Sequence, residues 1–192
     1  NWFEKKPLFG KRIIVTRARK QASALSEALI DLGAEAIEIP AIKIESLEAD
    51  SKVKNAFSQD AYDWVFFTSQ NGVLEFSDIL DRIGADSRIL SGAKVCAIGT
   101  ETAKALKAIG IKPDFVPAEF VAEGILRHFK KKKCGKRSRA LLLRAKKARN
   151  VLPDGLKKLG FQVKSIDLYD TLLQAESRAI LKKALKNGAD IV

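Results

Sequence analysis

Asp63-Trp64-Val65-Phe66-Phe67 followed by Thr68-Ser69-Gln70-Asn71-Gly72 is the stretch that decides the fold class of this chain. An apolar run this short reads as a buried strand, and helical spacing resumes at once at Val73, Phe76, Leu80 and Ile83. Val95-Cys96-Ala97-Ile98 followed by Gly99-Thr100-Glu101-Thr102-Ala103 has the same design. In both stretches, small residues bearing hydroxyl or amide groups sit where strand meets helix. The first backbone N–H groups of a helix lack intrahelical partners, so such joints suit anions.

Outward from these stretches the pattern continues. Ile13-Ile14-Val15 ends at Thr16-Arg17, Ala140 to Leu143 ends at Arg144, and Val163 to Leu168 leads to Tyr169. Phe115-Val116 reads as a further short strand before Pro117. Helical faces stop at Gly33, Gly84, Gly110 and Gly160, and glycine is a favoured C-terminal cap. Strands alternating with helices predict an α/β fold built on parallel sheets with helices on both faces. Such sheets bind ligands beyond the carboxyl ends of their strands. Thr16, Arg17, Thr68, Ser69, Asn71, Gly99, Thr100, Thr102 and Arg144 fall at those ends and are the candidate binding residues. Tyr169 is the candidate proton donor. Each has a plainer reading. Thr68, Ser69 and Thr100 are N-cap types, and Tyr169 closes an alternating strand as a half-buried structural tyrosine would. Asp63 and Glu123 read as capping or solvated carboxylates, and His128 as a partly exposed helix residue.

A formal net charge of +12, from 35 Lys and Arg against 23 Asp and Glu, calls for an anionic partner: nucleic acid, a membrane surface or a polyanionic small molecule. Lys130 to Lys133, with Lys136, Arg137 and Arg139, is the densest basic run. It lacks interleaved aromatic residues on which bases would stack, so a solvated helix end that complements the helix dipole is the favoured reading. No apolar stretch approaches the ~20 residues that span a bilayer, and no membrane partner is expected. There is no glycine-rich dinucleotide fingerprint and no phosphate loop, so no nucleotide cofactor is expected. One histidine and no metal-ligand spacing leave neither a Ser-His-Asp triad nor a metal centre in view. Cys96, inside an apolar run, and Cys134, in a basic loop, fit no disulfide framework, and a reducing cytoplasm is the simpler setting. The chain lacks methionine, starts at Asn1 and ends on Ile191-Val192, which look like the opening of a strand, so it reads as a piece of a longer polypeptide.

Six motifs in order then resemble one family. They are Ile14-Val15-Thr16-Arg17, Val65 through Val73, Ala97-Ile98-Gly99-Thr100-Glu101-Thr102-Ala103, Phe120-Val121-Ala122-Glu123-Gly124, Leu143-Arg144 through Arg149-Asn150-Val151-Leu152, and Leu168-Tyr169-Asp170-Thr171. From about Gly10 onward, their order and spacing are similar to those of uroporphyrinogen-III synthase. The opening Trp2 to Arg12 looks like the junction in fused proteins, where a tetrapyrrole methyltransferase or another pathway enzyme precedes the synthase.

The resemblance implies two doubly wound parallel-sheet domains joined by a two-strand connector, the first discontinuous and here incomplete. Residues 1–9 would be a linker from a preceding fusion domain. Residues 10–40 with 172–192 would form domain one, 45–167 domain two, and 41–44 with 168–171 the connecting strands. One wall of the family's cleft would lie beyond Val192, so a fragment with little or no activity is expected. The implied reaction is that of a cofactor-free lyase. Hydroxymethylbilane loses its hydroxyl to give an azafulvene, ring D attacks at its substituted carbon, and the spiro intermediate reopens and recloses with ring D inverted. Without the enzyme, closure gives the type I isomer. The substrate is a linear tetrapyrrole polycarboxylate, passed on in the pathway from hydroxymethylbilane synthase. Thr68, Ser69, Asn71, Thr100 and Thr102 would hold its carboxylates, Arg17 and Arg144 would add charge, and Tyr169 would assist hydroxyl departure. The competing readings are a non-catalytic polyanion-binding two-lobed α/β module and an RNA-binding protein.

Overall fold

The short apolar runs are strands of two sheets, and every strand pair whose register is given below is parallel. The computed structural model describes residues 2–119, 122–132 and 137–192. Phe120 and Val121 of the fourth motif, and Lys133, Cys134 and Lys136 of the basic loop, lie outside the described residues. The elements are β1 (Arg12–Val15), α1 (Arg19–Asp31), β2 (Glu35–Glu38), β3 (Ile42–Ser46), α2 (Asp50–Gln59), β4 (Trp64–Phe67) and α3 (Gln70–Arg82). They continue with β5 (Lys94–Ala97), α4 (Thr100–Ala108), α5 (Ala122–Lys131), β6 (Arg139–Ala145), α6 (Val151–Lys158), β7 (Gln162–Leu173) and α7 (Ala175–Lys186). One sheet pairs β1 with β2, and the other runs in the order β3-β7-β6-β4-β5. The α/β class expected from the sequence is the one the chain adopts.

The chain divides into two units, Ser46–Asp170 and the residues up to Glu45 together with Thr171–Val192. In the larger unit the register sets Phe66 opposite Cys96 and Leu142, and Val65 opposite Val95 and Leu141. Side chains alternate across a sheet, so the two sets face opposite ways. Phe66, Cys96, Ala140 and Leu142 pack with Ile125 and Phe129 of α5 and Leu152 and Leu156 of α6. On the other face Phe67 meets Phe76 of α3 edge-on, with ring centroids 5.2 Å apart. Helices on both faces explain why these strands are continuous apolar runs rather than alternating ones.

The amino ends of the strands are fastened by carboxylates. Asp63 accepts from the Arg139 N–H at 2.7 Å, and Asp114 accepts from the Val95 N–H at 2.7 Å. Asp60 pairs with Arg139 and with Lys164 and accepts from the Tyr62 hydroxyl. Asp63 is thus a clip between β4 and β6, at the opposite end of the strands from where ligands are expected. In the smaller unit β1 pairs with β2, and Ile13 also bridges Ile191 in parallel. Arg12 binds the Glu35 carboxylate at 2.9 Å, and the Ser177 hydroxyl donates to the Pro40 carbonyl at 2.6 Å.

Two local expectations differ from the structure. Phe115-Val116 forms only an isolated bridge, Phe115 to Cys96, because Pro113 and Pro117 on either side carry no N–H for a ladder. The last strand does not end at Tyr169 but runs on to Leu173. A register shift between Arg144 and Ala145 brings Ala145 opposite Tyr169, and the ladder continues with the Lys146 N–H donating to the Tyr169 carbonyl at 2.9 Å.

Phe129 is fully buried, with ring centroids 4.9 Å from Trp64, 5.4 Å from Phe161 and 5.8 Å from Phe66. Phe129→Ala should destabilise the protein by about 3–5 kcal/mol, read from urea unfolding. An unchanged midpoint would contradict this packing.

Candidate functional site

The loop after β4 shows why Thr68-Ser69-Gln70-Asn71-Gly72 has its composition. Ser69 is extended at φ −161° and ψ 156°, and its hydroxyl accepts from the Gly72 N–H at 3.0 Å, capping α3. The same hydroxyl lies 2.8 Å from the Tyr169 hydroxyl. Gly72 makes room for this arrangement. A Cβ there would stand 3.3 Å from Ser69 Oγ and 3.9 Å from Tyr169 Cε1. Tyr169 is 5% exposed, so its phenol has left water for a joint between sheet and helix.

Burial pushes the Tyr169 phenol above its ordinary titration range. Hydrogen bonds from the Ser69 and Asn71 side chains pull the other way, and the negative charge of Glu75 adds to the rise. The phenol is therefore neutral near pH 7. Glu75, on α3, is itself buried and accepts from the Ser46 hydroxyl at 2.5 Å.

The other expected residues take different places. Thr68 is half-buried at the end of β4. Gly99 stands before α4 at φ 90°, a left-handed conformation that favours glycine. Thr100 is exposed in the first turn of α4, whereas Thr102 is 3% exposed and turned into the protein. Arg144 is 7% exposed, and its guanidinium is engaged on every nitrogen. Nε donates to the Ala145 carbonyl at 3.3 Å and pairs with Asp167 at 3.4 Å. Nη1 donates to Asn150 Oδ1 at 3.1 Å and Nη2 to the Ala148 carbonyl at 2.6 Å. This arginine braces the turn between β6 and α6. Thr16 and Arg17 belong to the smaller unit. Arg17 is exposed, and Thr16 lines an apolar groove with Ile39, Ala41, Leu173, Ser177 and Leu181.

Ser46, Gly72 and Glu75 were not among the expected site residues. Only Gly72 carried a signal, as the residue closing the quoted loop; a glutamate on a helix gives no sign that it is buried. His128 stacks on Phe115 at 3.8 Å, and burial, with Lys132 nearby, lowers its pKa, so it is a packed ring. Lys130 and Lys131 lie in the last turn of α5, where cations complement the dipole. Among the described residues, no group of three His, Cys, Asp or Glu side chains could hold a metal ion, and no helix is long and apolar enough to cross a membrane.

With this geometry in place, the chain was compared with known proteins. The family model for uroporphyrinogen-III synthase HemD matches residues 23–192. A porphyrin biosynthesis protein HemD from Ruminiclostridium josui is 34% identical over 98% of this chain and 37% of that protein. A uroporphyrinogen-III synthase from Synechococcus elongatus is 33% identical over 68% of this chain and 50% of that protein. The chain thus spans half the length or less of these curated relatives. A crystal structure of a mutant uroporphyrinogen III synthase from Thermus thermophilus shares the fold, with a TM-score of 0.68 and 22% identity over 95% of this chain and 71% of that one.

The Tyr169 environment sets a pH dependence. The folded phenol titrates above the unfolded value of about 10, so the unfolded chain loses its proton first as pH rises. The stabilisation is complete below about 10 and is lost as pH climbs through the folded value. Tyr62, pushed up to about 12, behaves alike and remains in both proteins compared. Tyr169→Phe protein should lose less stability than wild type between about pH 9 and about pH 11.5, read from urea midpoints. Equal losses would show that the phenol is not held neutral by the fold.

Proposed function

Because this chain belongs to the uroporphyrinogen-III synthase HemD family, we propose that the protein carrying it is a uroporphyrinogen-III synthase. It closes hydroxymethylbilane into uroporphyrinogen III with loss of water and inversion of ring D. The observation that carries this reading is the buried hydroxyl pair of Ser69 and Tyr169 at the carboxyl edge of a parallel sheet. The neutral phenol donates its proton to the departing hydroxyl, which leaves as water, and the phenolate takes a proton back when ring D becomes aromatic again. Ser69 and Asn71 hold the phenolate in the interval. The rest of the reaction is a matter of holding a flexible chain so that the substituted carbon of ring D attacks, which is positioning and electrostatics rather than covalent help.

The substrate is a polyanion, and the sheet edge supplies what it needs. The starts of α3 and α4 present backbone N–H groups, with Thr68 and Asn71 at one and Thr100 at the other. The net charge of +12 draws the substrate in. We read Ser46–Asp170 as the second domain of the family fold and the other unit as its discontinuous first domain. The pathway partner is hydroxymethylbilane synthase, which supplies the substrate. The buried Cys96, whose thiol burial pushes well above its usual range, is consistent with a reducing cytoplasm.

Tyr169→Phe, made in the polypeptide that contains this chain, should lower kcat about 100-fold or more while leaving KM within a few-fold, since general acid groups act on the transition state. Consumption of hydroxymethylbilane, supplied by its synthase, gives both constants. Full kcat in the phenylalanine variant would remove Tyr169 from the chemistry.

A further inference from the structure

The turn after β6 has a composition that the proposed acid does not use. Lys146, Lys147 and Arg149 fall in it, all three exposed cations. Exposed basic residues are common, but these are presented on a built support. Arg144 is buried within the turn and bonded to the Ala145 and Ala148 carbonyls and the Asn150 side chain, so the shape of the turn is fixed from inside. The turn closes on itself through the Ala148 N–H donating to the Ala145 carbonyl at 3.1 Å. It is tied to the neighbouring strand by the Lys146 N–H donating to the Tyr169 carbonyl at 2.9 Å. The backbone of the candidate acid and the backbone of the basic turn are therefore one hydrogen bond apart.

Asp170 completes the arrangement. Its side chain is 9% exposed and lies 4.0 Å from Lys146 Nζ and 3.6 Å from Lys147 Nζ, while both lysine side chains are more than half exposed. These separations hold both ammonium groups over β7 by charge, yet they exceed a hydrogen-bond length of about 3.2 Å. Each lysine keeps its donors available to a carboxylate from outside. The acid thus gathers two long side chains, which would otherwise scatter into water, beside Tyr169, at the edge where α/β sheets bind ligands.

Resting on the reading of the protein as a tetrapyrrole synthase, we propose that Lys146 and Lys147, with Arg149 beside them, form a binding surface for the substrate's carboxylates, which Arg144 shapes from below. Arg144 is then a positioning residue. The cations that meet the substrate come from the turn after it, and the lysine run at the end of α5 has no part in binding.

Uroporphyrin, a stable macrocyclic polycarboxylate, serves as the probe, and its fluorescence is titrated against the wild-type polypeptide that contains this chain, over a series of salt concentrations. Lys146→Ala/Lys147→Ala should bind about tenfold more weakly at low salt, as two exposed ion pairs predict. It should also show a shallower dependence on salt, a readout that a merely structural role would not move. Lys130→Ala/Lys131→Ala removes the same charge at the end of α5 and should match wild type in both respects. The substituted side chains point to solvent, so far-UV circular dichroism should be unchanged. If wild type binds and the Lys146/Lys147 variant binds as tightly with the same salt slope, the binding surface is overturned and the synthase reading stands. Equal weakening in both variants would reduce the effect to net charge and also overturn it. If wild type binds no uroporphyrin at all, the synthase reading falls together with this surface.

Discussion

The Ser69 hydroxyl is bonded in two directions at once, and the larger unit is arranged to make that possible. It caps α3 by accepting from Gly72 and meets the phenol of Tyr169, a residue 100 positions away in the chain. The β4-β6-β7 ladder brings the two residues together, with Phe67 opposite Leu143 and Leu143 opposite Ile166. The register shift at Arg144/Ala145 then advances β7 by one residue, so that Tyr169 rather than Leu168 stands opposite Ala145. A slip of one position would turn every side chain to the other face. The apolar strand faces, the carboxylate clips at their amino ends and the helices on both sides all hold this register.

Charge is distributed to match. The most buried arginine of the expected set, Arg144, is an internal brace bonded through each of its three guanidinium nitrogens. The open cations are on the turn it supports. Burying a guanidinium is costly unless its donors are met, and here two backbone carbonyls and two side chains meet them. Glu75 and Asp170 are the buried carboxylates of the same neighbourhood. Glu75 helps keep the phenol neutral and Asp170 keeps lysines close, so two acids in a strongly basic protein tune it locally without reversing its appeal to anions.

Much of the fold was legible in the sequence because its signals are local. Trp64 to Phe67, Val95 to Ile98 and Ala140 to Leu143 fit buried strands, the second ending one residue earlier at Ala97, and Gly33, Gly84, Gly110 and Gly160 mark helix ends with φ of 96°, 66°, 80° and 93°. Phe115-Val116 carries the apolar signature of a strand, but Pro113 and Pro117 on either side offer no N–H for a ladder, and only an isolated bridge forms. The alternation of Val163 to Leu168 points to a strand end at Tyr169, whereas β7 carries an extra residue, Leu168, at the register shift and runs on to Leu173. For the candidate site, residue type and position at a strand end were readable, but partnership was not. Ser69 and Tyr169 could each be named, whereas their shared hydrogen bond is a tertiary fact. Arg144 has the same sequence signature whether it faces solvent or folds back on its own turn. Ser46, Glu75 and Asp170 became visible only when α3 and β7 were placed on the sheet.

The most direct measurement is the isomer of the product. Hydroxymethylbilane is supplied to the purified polypeptide that contains this chain, and the uroporphyrinogens formed are oxidised and separated. A synthase that positions ring D for attack at its substituted carbon gives the type III isomer well above a protein-free blank. A folded protein that returns only the type I isomer of uncatalysed closure would contradict that role.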